Sequence, residues 1–181
     1  NKFVEMGADI VLFSGGKDIR GPQSSGLMVG KKDIIDICRL HGYPHQAIGR
    51  PMKLDKETIM GFVRAIELYL NEDHVNREKQ WEEQVNYIVE ILNNIPHIQA
   101  FKGYPSQPLT QPATIPRAYI KFDEGVLGIT SRDVYHELYE GNPRIATIIE
   151  KKYLSFNPHM LARGEEILIV NRVKEIIKRI Y

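Results

Sequence analysis

A run of four apolar residues, Ile10-Val11-Leu12-Phe13, ends in Ser14-Gly15-Gly16-Lys17, and this junction constrains the fold more than any other part of the sequence. An unbroken apolar run closed by a glycine turn reads as a strand buried on both faces, as in a parallel α/β sheet. The end of such a strand is where open α/β sheets gather ligand-binding groups. Two glycines there permit backbone conformations closed to other residues and let a ligand approach closely. A serine hydroxyl and turn N–H groups can hold a phosphate, and a desolvated lysine amine can form an imine with an aldehyde. On spacing alone, a glycine turn carrying a solvated lysine explains the segment equally well. A phosphate-binding P-loop does not, because it needs Ser or Thr after the lysine and Asp18 stands there. A Ser-x-x-Lys nucleophile of the β-lactamase type needs a helical turn, which Gly15 and Gly16 oppose; its companion Ser-Asp-Asn and Lys-Thr-Gly motifs do not occur.

Further elements follow from periodicity. Leu27-Met28-Val29 reads as a second short strand, and a helix is predicted from about Lys32 to Leu40, closed by His41-Gly42-Tyr43-Pro44. Asp55 is the expected N-cap of a helix with Ile59, Phe62, Val63, Ile66, Tyr69 and Leu70 at helical spacing. From about Asn76 a long helix carries Trp81, Val85, Ile88, Leu92 and Ile95 on one stripe and stops at Pro96. Strands are predicted over Ile98–Gly103 and Arg117–Asp123, separated by a loop with four prolines. Thr130 and Asp133 have capping-box spacing. Two more strands, Arg144–Glu150 and Tyr153–Asn157, precede a last helix with Ile169, Val173, Ile176 and Ile180 on one face. The order α-β-β-α-β-β-α predicts helices on one face of a mostly antiparallel sheet.

Composition narrows the function. With 24 basic against 23 acidic residues, no polybasic face marks the chain for nucleic acid or membrane, and no apolar run is long enough to span a bilayer. The single cysteine, Cys38, excludes an internal disulfide and suits a reducing cytoplasm. The opening Asn1–Gly7 has no initiator Met and reads as a helix end meeting a C-cap glycine, so part of a larger protein is expected to be missing. His41 and His45 are four apart, but Gly42 and Pro44 between them break the helix a metal pair would need. Cys38 and the Trp81 stripe read as packing, and Lys53 and Lys56 as solvated residues at a helix start.

The segment Gly-Ala-Asp-Ile-Val-Leu-Phe-Ser-Gly-Gly-Lys-x-Ile-Arg-Gly-Pro-Gln-Ser-Ser-Gly-Leu, residues 7–27, resembles the lysine segment of selenocysteine synthase-like pyridoxal-phosphate (PLP) enzymes. That family includes bacterial L-seryl-tRNA(Sec) selenium transferase and the D-glucosaminate-6-phosphate ammonia-lyase relatives. Weaker similarity continues in order through Gly49–Glu57, Asn142–Ala146 and Leu161–Glu166.

The resemblance implies a fold-type I architecture: residues 1–75 would end the large α/β PLP-binding domain, and 76–181 would form the small C-terminal α+β domain. It makes Lys17 the Schiff-base lysine and later the base for the substrate α-proton, Ser14 a cofactor-phosphate ligand beside Gly15 and Gly16, and Gln23 a further phosphate contact. Arg144 becomes the arginine for the substrate carboxylate, with a solvated strand-end arginine as the equal alternative. The family's aspartate for the pyridine nitrogen and its ring-stacking residue match nothing here, so the chain alone is expected to be inactive. The implied reaction is elimination or replacement at the β-carbon of a small amino-acid substrate in a homodimer or larger homo-oligomer, with tRNA disfavoured by the charge balance. The competing reading is a non-catalytic α/β interaction or dimerisation module.

Overall fold

The computed structural model describes residues 2–105 and 114–179. Ile180 of the last apolar stripe, and Pro108 and Pro112 of the proline-rich loop, lie outside the described residues. The chain divides into two compact units, Asn1–Glu72 and Asp73–Tyr181.

In the first unit, a one-turn helix α1 (Lys2–Glu5) ends with Gly7 N bonded to Val4 O and Ala8 N to Phe3 O, the paired bonds of a glycine-terminated helix. Strand β1 (Ile10–Ser14) pairs antiparallel with β2 (Gly26–Gly30), Ile10 opposite Gly30 and Ser14 opposite Gly26. This corrects the expectation of a buried parallel strand. Only residues 15–25 separate the two strands, and a parallel return needs a crossover of about a dozen residues or more. The two-stranded ribbon also does not bury the run on both faces: Leu12 is 69% exposed. Helix α2 (Lys32–His41) follows, then a 3-10 turn (Arg50–Met52) and helix α3 (Lys56–Leu70). Asp55 caps α3 as expected, its Oδ1 accepting from Thr58 N at 2.6 Å. Of the predicted α3 stripe only Phe62 is buried, joined by Ala65, whereas Ile59, Val63 and Leu70 are exposed.

The second unit is built on a four-stranded antiparallel sheet. Helix α4 (His74–Asn93) leads into β3 (Ile98–Gly103) and β4 (Arg117–Phe122). A single-turn helix α5 (Glu124–Leu127) and helix α6 (Ser131–Tyr139) precede β5 (Ile148–Glu150) and β6 (Tyr153–Phe156), and α7 (Glu165–Lys178) closes the unit. The strand order is β3-β4-β6-β5. Alternation places Ile98, Ala100, Ala118, Ile120, Phe122, Leu154 and Phe156 in one core with the apolar stripes of α4, α6 and α7. Asn93 on α4 satisfies the free side of edge strand β3, accepting from Ala100 N and donating to Ala100 O, each at 2.8 Å. The capping box of α6 forms as its spacing predicts, Thr130 and Asp133 bonding reciprocally. α5 is a turn that periodicity does not reveal. The predicted strand from Arg144 forms only from Ile148, because Ile145 N bonds back to Leu138 O at the end of α6 and leaves the ladder. No described helix is long and apolar enough to cross a membrane.

Candidate functional site

The segment after β1 folds back on itself as a tight loop. Gly15 N bonds to Ser25 O at 2.9 Å, Gly21 N to Gly15 O at 2.8 Å and Arg20 N to Lys17 O at 2.8 Å. Ser25 Oγ donates to Pro22 O at 2.6 Å, locking the far side. Arg20 sits at φ +59°, a left-handed conformation costing about 1 kcal/mol. Its guanidinium pairs with Glu72 at 2.7 Å, which ties the turn to the residues following α3.

Gly15 is buried because nothing larger fits: a methyl group there would lie 2.1 Å from Ser25 Oγ and 2.7 Å from Phe62 Cε2. The front of the loop has the opposite character. Ser14, Lys17 and Gln23 are exposed, and among the described residues no side-chain hydrogen bond or ion pair engages Ser14 Oγ or Lys17 Nζ. Gln23 Nε2 reaches Gly16 O at 3.5 Å, closing the loop over the second glycine. The structure therefore brings Ser14, Gly15, Gly16, Lys17 and Gln23 together in one loop.

Arg144 belongs to the second unit and lies before β5, not on a strand; its guanidinium carbon stands 4.9 Å over the Tyr139 ring. The Leu161–Glu166 segment serves the start of α7. Ala162 N donates to Glu165 Oε2 at 2.9 Å, and Gln84 Nε2 donates to both Ala162 O and Glu166 Oε2.

Two groups escaped the sequence reading. Phe62, Ala65 and Ser25 form the buried backing of the Lys17 loop; helical periodicity includes Phe62 but does not single it out. Arg50 and Lys53 both lie over the Tyr43 ring, at 5.0 and 5.4 Å; Lys53 is exposed, as expected, and Arg50 Nε is buried without a partner among the described residues. Their spacing of three across a 3-10 turn, which stacks side chains, is the signal that could have revealed them. Among the described residues no group of three or more His, Cys, Asp or Glu is placed to hold a metal ion.

Residues 1–92 match the family model described as L-seryl-tRNA selenium transferase. The chain is 31% identical over 180 residues to D-glucosaminate-6-phosphate ammonia lyase from Salmonella typhimurium, covering 96% of this chain and 45% of the relative. It is 27% identical over 179 residues to a Streptomyces 5'-C-glycyluridine monooxygenase-decarboxylase, covering 97% and 43%. A solved structure of D-glucosaminate-6-phosphate ammonia-lyase superposes with a TM-score of 0.72 at 28% identity, covering 98% of this chain and 46% of that one. The chain spans less than half the length of each of these proteins.

Proposed function

This chain belongs to the L-seryl-tRNA selenium transferase family, and from that premise we propose that it supplies the cofactor-bearing lysine of a PLP-dependent lyase or transferase acting on a small amino-acid substrate. The observation that carries the reading is the Lys17 loop, whose amine has no hydrogen-bond or ion-pair partner among the described residues and whose backbone is anchored at buried Gly15 and Ser25. The residues present suit PLP. Ser14 offers a hydroxyl to the phosphate and Lys17 an amine to the aldehyde, on a loop so closely folded that neither Gly15 nor Gly16 has room for a side chain. PLP supplies an aldehyde that condenses with a primary amine and a ring that accepts the electrons of a bond broken at the amino-acid α-carbon.

The protein's own part is orientation and proton handling. Lys17 Nζ holds the cofactor and then takes the substrate α-proton, Ser14 Oγ and Gln23 hold phosphate, and Arg144 holds the substrate carboxylate with its two-pronged guanidinium. Residues 1–75 read as the end of a fold-type I large domain and 76–181 as its small domain. Relatives named as an ammonia lyase, a monooxygenase-decarboxylase and a selenium transferase differ in reaction; the lyase and the transferase favour elimination or replacement at the β-carbon. A net charge of +1 argues for a small substrate over tRNA. The free Cys38 suits the cytoplasm, and a homodimer or larger homo-oligomer is the expected assembly.

The test is chemical. The intact protein is incubated with PLP, reduced with borohydride, digested and mapped. A pyridoxyl group on Lys17, abolished by Lys17→Ala, is expected; a label on another lysine, or none, would overturn the assignment.

A further inference from the structure

Among the described residues of the first unit, the buried ones are Gly15, Ser25, Phe62 and Ala65. All four lie where the Lys17 loop meets α3. A methyl group on Gly21 would lie 2.9 Å from Phe62 Cδ2 and 3.3 Å from Ala65 Cβ, and one on Gly61 would lie 3.2 Å from Pro22 Cγ. Residues 61, 62 and 65 form one face of the helix, so the whole loop rests on that face with the Phe62 ring beneath Gly15 and Gly21. The unit thus concentrates its burial behind one short loop while Leu12, Met60 and Leu70 stay exposed.

We propose that Phe62 is a positioning residue, whose ring sets the seat of the loop and thereby the place from which Lys17 reaches its cofactor. This rests on the assignment of Lys17 above. Loops are mobile unless held, and a lysine side chain has four rotatable bonds, so its amine is placed reproducibly only when its backbone is fixed. Sites that need sub-ångström placement depend on packed groups that never touch the reacting atoms. Phe62 meets that description: its ring lies within 3 Å of where a methyl group on Gly15 or Gly21 would stand, on either side of Lys17.

The test uses the intact protein and the variants Phe62→Ala and Phe62→Leu, with Val134→Ala in the second core as a stability control. Two readouts are taken: the PLP dissociation constant from the visible absorbance of bound cofactor, and hydrogen exchange at Gly15 and Gly21. Phe62→Ala is expected to weaken PLP binding and to speed exchange at Gly15 and Gly21 by about tenfold or more, since small misplacements remote from the chemistry carry such effects. Exchange within α2 and PLP binding by Val134→Ala should stay near the parent. Phe62→Leu keeps the apolar seat but loses the ring edges, so it should fall between, and it decides the matter if Phe62→Ala fails to fold. If Lys17 is labelled in the parent but both Phe62 variants bind PLP within about twofold of it, positioning is refuted and the Lys17 assignment stands. Acceleration spread equally through α2 would make Phe62 merely structural and also overturn the proposal. An unlabelled Lys17 in the parent overturns both.

Discussion

Glu150→Ala tests the electrostatics of the second unit's sheet. On the face turned away from the helices, Arg117 forms an ion pair with Glu150, and Tyr119 Oη donates to the other carboxylate oxygen at 3.2 Å. The Arg117 side chain is only 11% exposed, Glu150 is 26% exposed, and Arg117 Nε is already buried without a partner among the described residues. Removing the carboxylate strands a guanidinium that water can scarcely reach. Breaking a buried pair in this way costs 3–5 kcal/mol, and the exposure of Glu150 moves the expectation to about 3 kcal/mol, or roughly a hundredfold in the folding equilibrium. Glu150→Gln, which keeps an acceptor but no charge, should cost about half as much. Replacing both partners, Arg117→Met with Glu150→Leu, should return stability to within about 1 kcal/mol of the parent, because neither charge is then desolvated. Urea unfolding followed by fluorescence is the assay, since the single tryptophan, Trp81, lies 7% exposed in this unit. Tyr119 adds a second readout. Burial first, and then the charge of Glu150, raise its pKa, so Glu150→Ala should lower it part of the way. A Glu150→Ala variant within about 0.5 kcal/mol of the parent, or a double variant less stable than the single, would refute the reasoning.

Gly15→Ala should destabilise the Lys17 loop by about 1–3 kcal/mol through overpacking against Ser25 Oγ and Phe62. Adding Ser25→Ala removes the nearest clash and should recover part of that loss, read as hydrogen exchange across residues 15–25; an unperturbed Gly15→Ala loop would show the seat to be loose. Asp133 supplies a pH test. The Thr130 hydroxyl, and then its backbone N–H, hold the Asp133 carboxyl below the usual aspartate range. A lowered folded-state pKa contributes stability above the unfolded pKa, and that contribution is lost as pH falls through the folded value. The advantage of the parent over Asp133→Asn should therefore be constant near neutrality and vanish in acid, as urea midpoints between about pH 7 and pH 2 would show; a difference unaffected by pH would refute the capping-box account.

Local rules recover the second unit almost residue by residue, for physical reasons that the exceptions make visible. Val85, Ile88 and Leu92 repeat with the helical period and are buried to within 1%. Thr130 and Asp133 bond within one turn, so their geometry needs nothing from the rest of the chain. Arg144–Thr147 has strand-like composition yet no ladder, because Ile145 N finds its acceptor at Leu138 O on α6. A choice between two acceptors distant in sequence is invisible to periodicity.

The first unit marks the same boundary more sharply. The chemistry proposed for Ser14, Gly15, Gly16 and Lys17 is legible through the family resemblance of residues 7–27, since spacing alone fits a solvated glycine turn equally well. The surroundings of the strand are not: Ile10–Phe13 reads the same whether a parallel sheet covers both faces or, as found, an antiparallel ribbon leaves Leu12 and Phe13 exposed. Counting the residues between Ser14 and Gly26 would have excluded the parallel return. No count would have chosen Phe62 from its stripe, since Ile59 and Val63 fit the same period and are exposed. What distinguishes Phe62 is a loop some forty residues upstream that lands on it, a contact set by tertiary folding. The amine proposed to carry the chemistry can thus be found in the sequence, whereas the ring proposed to set its place appears only once the chain has folded.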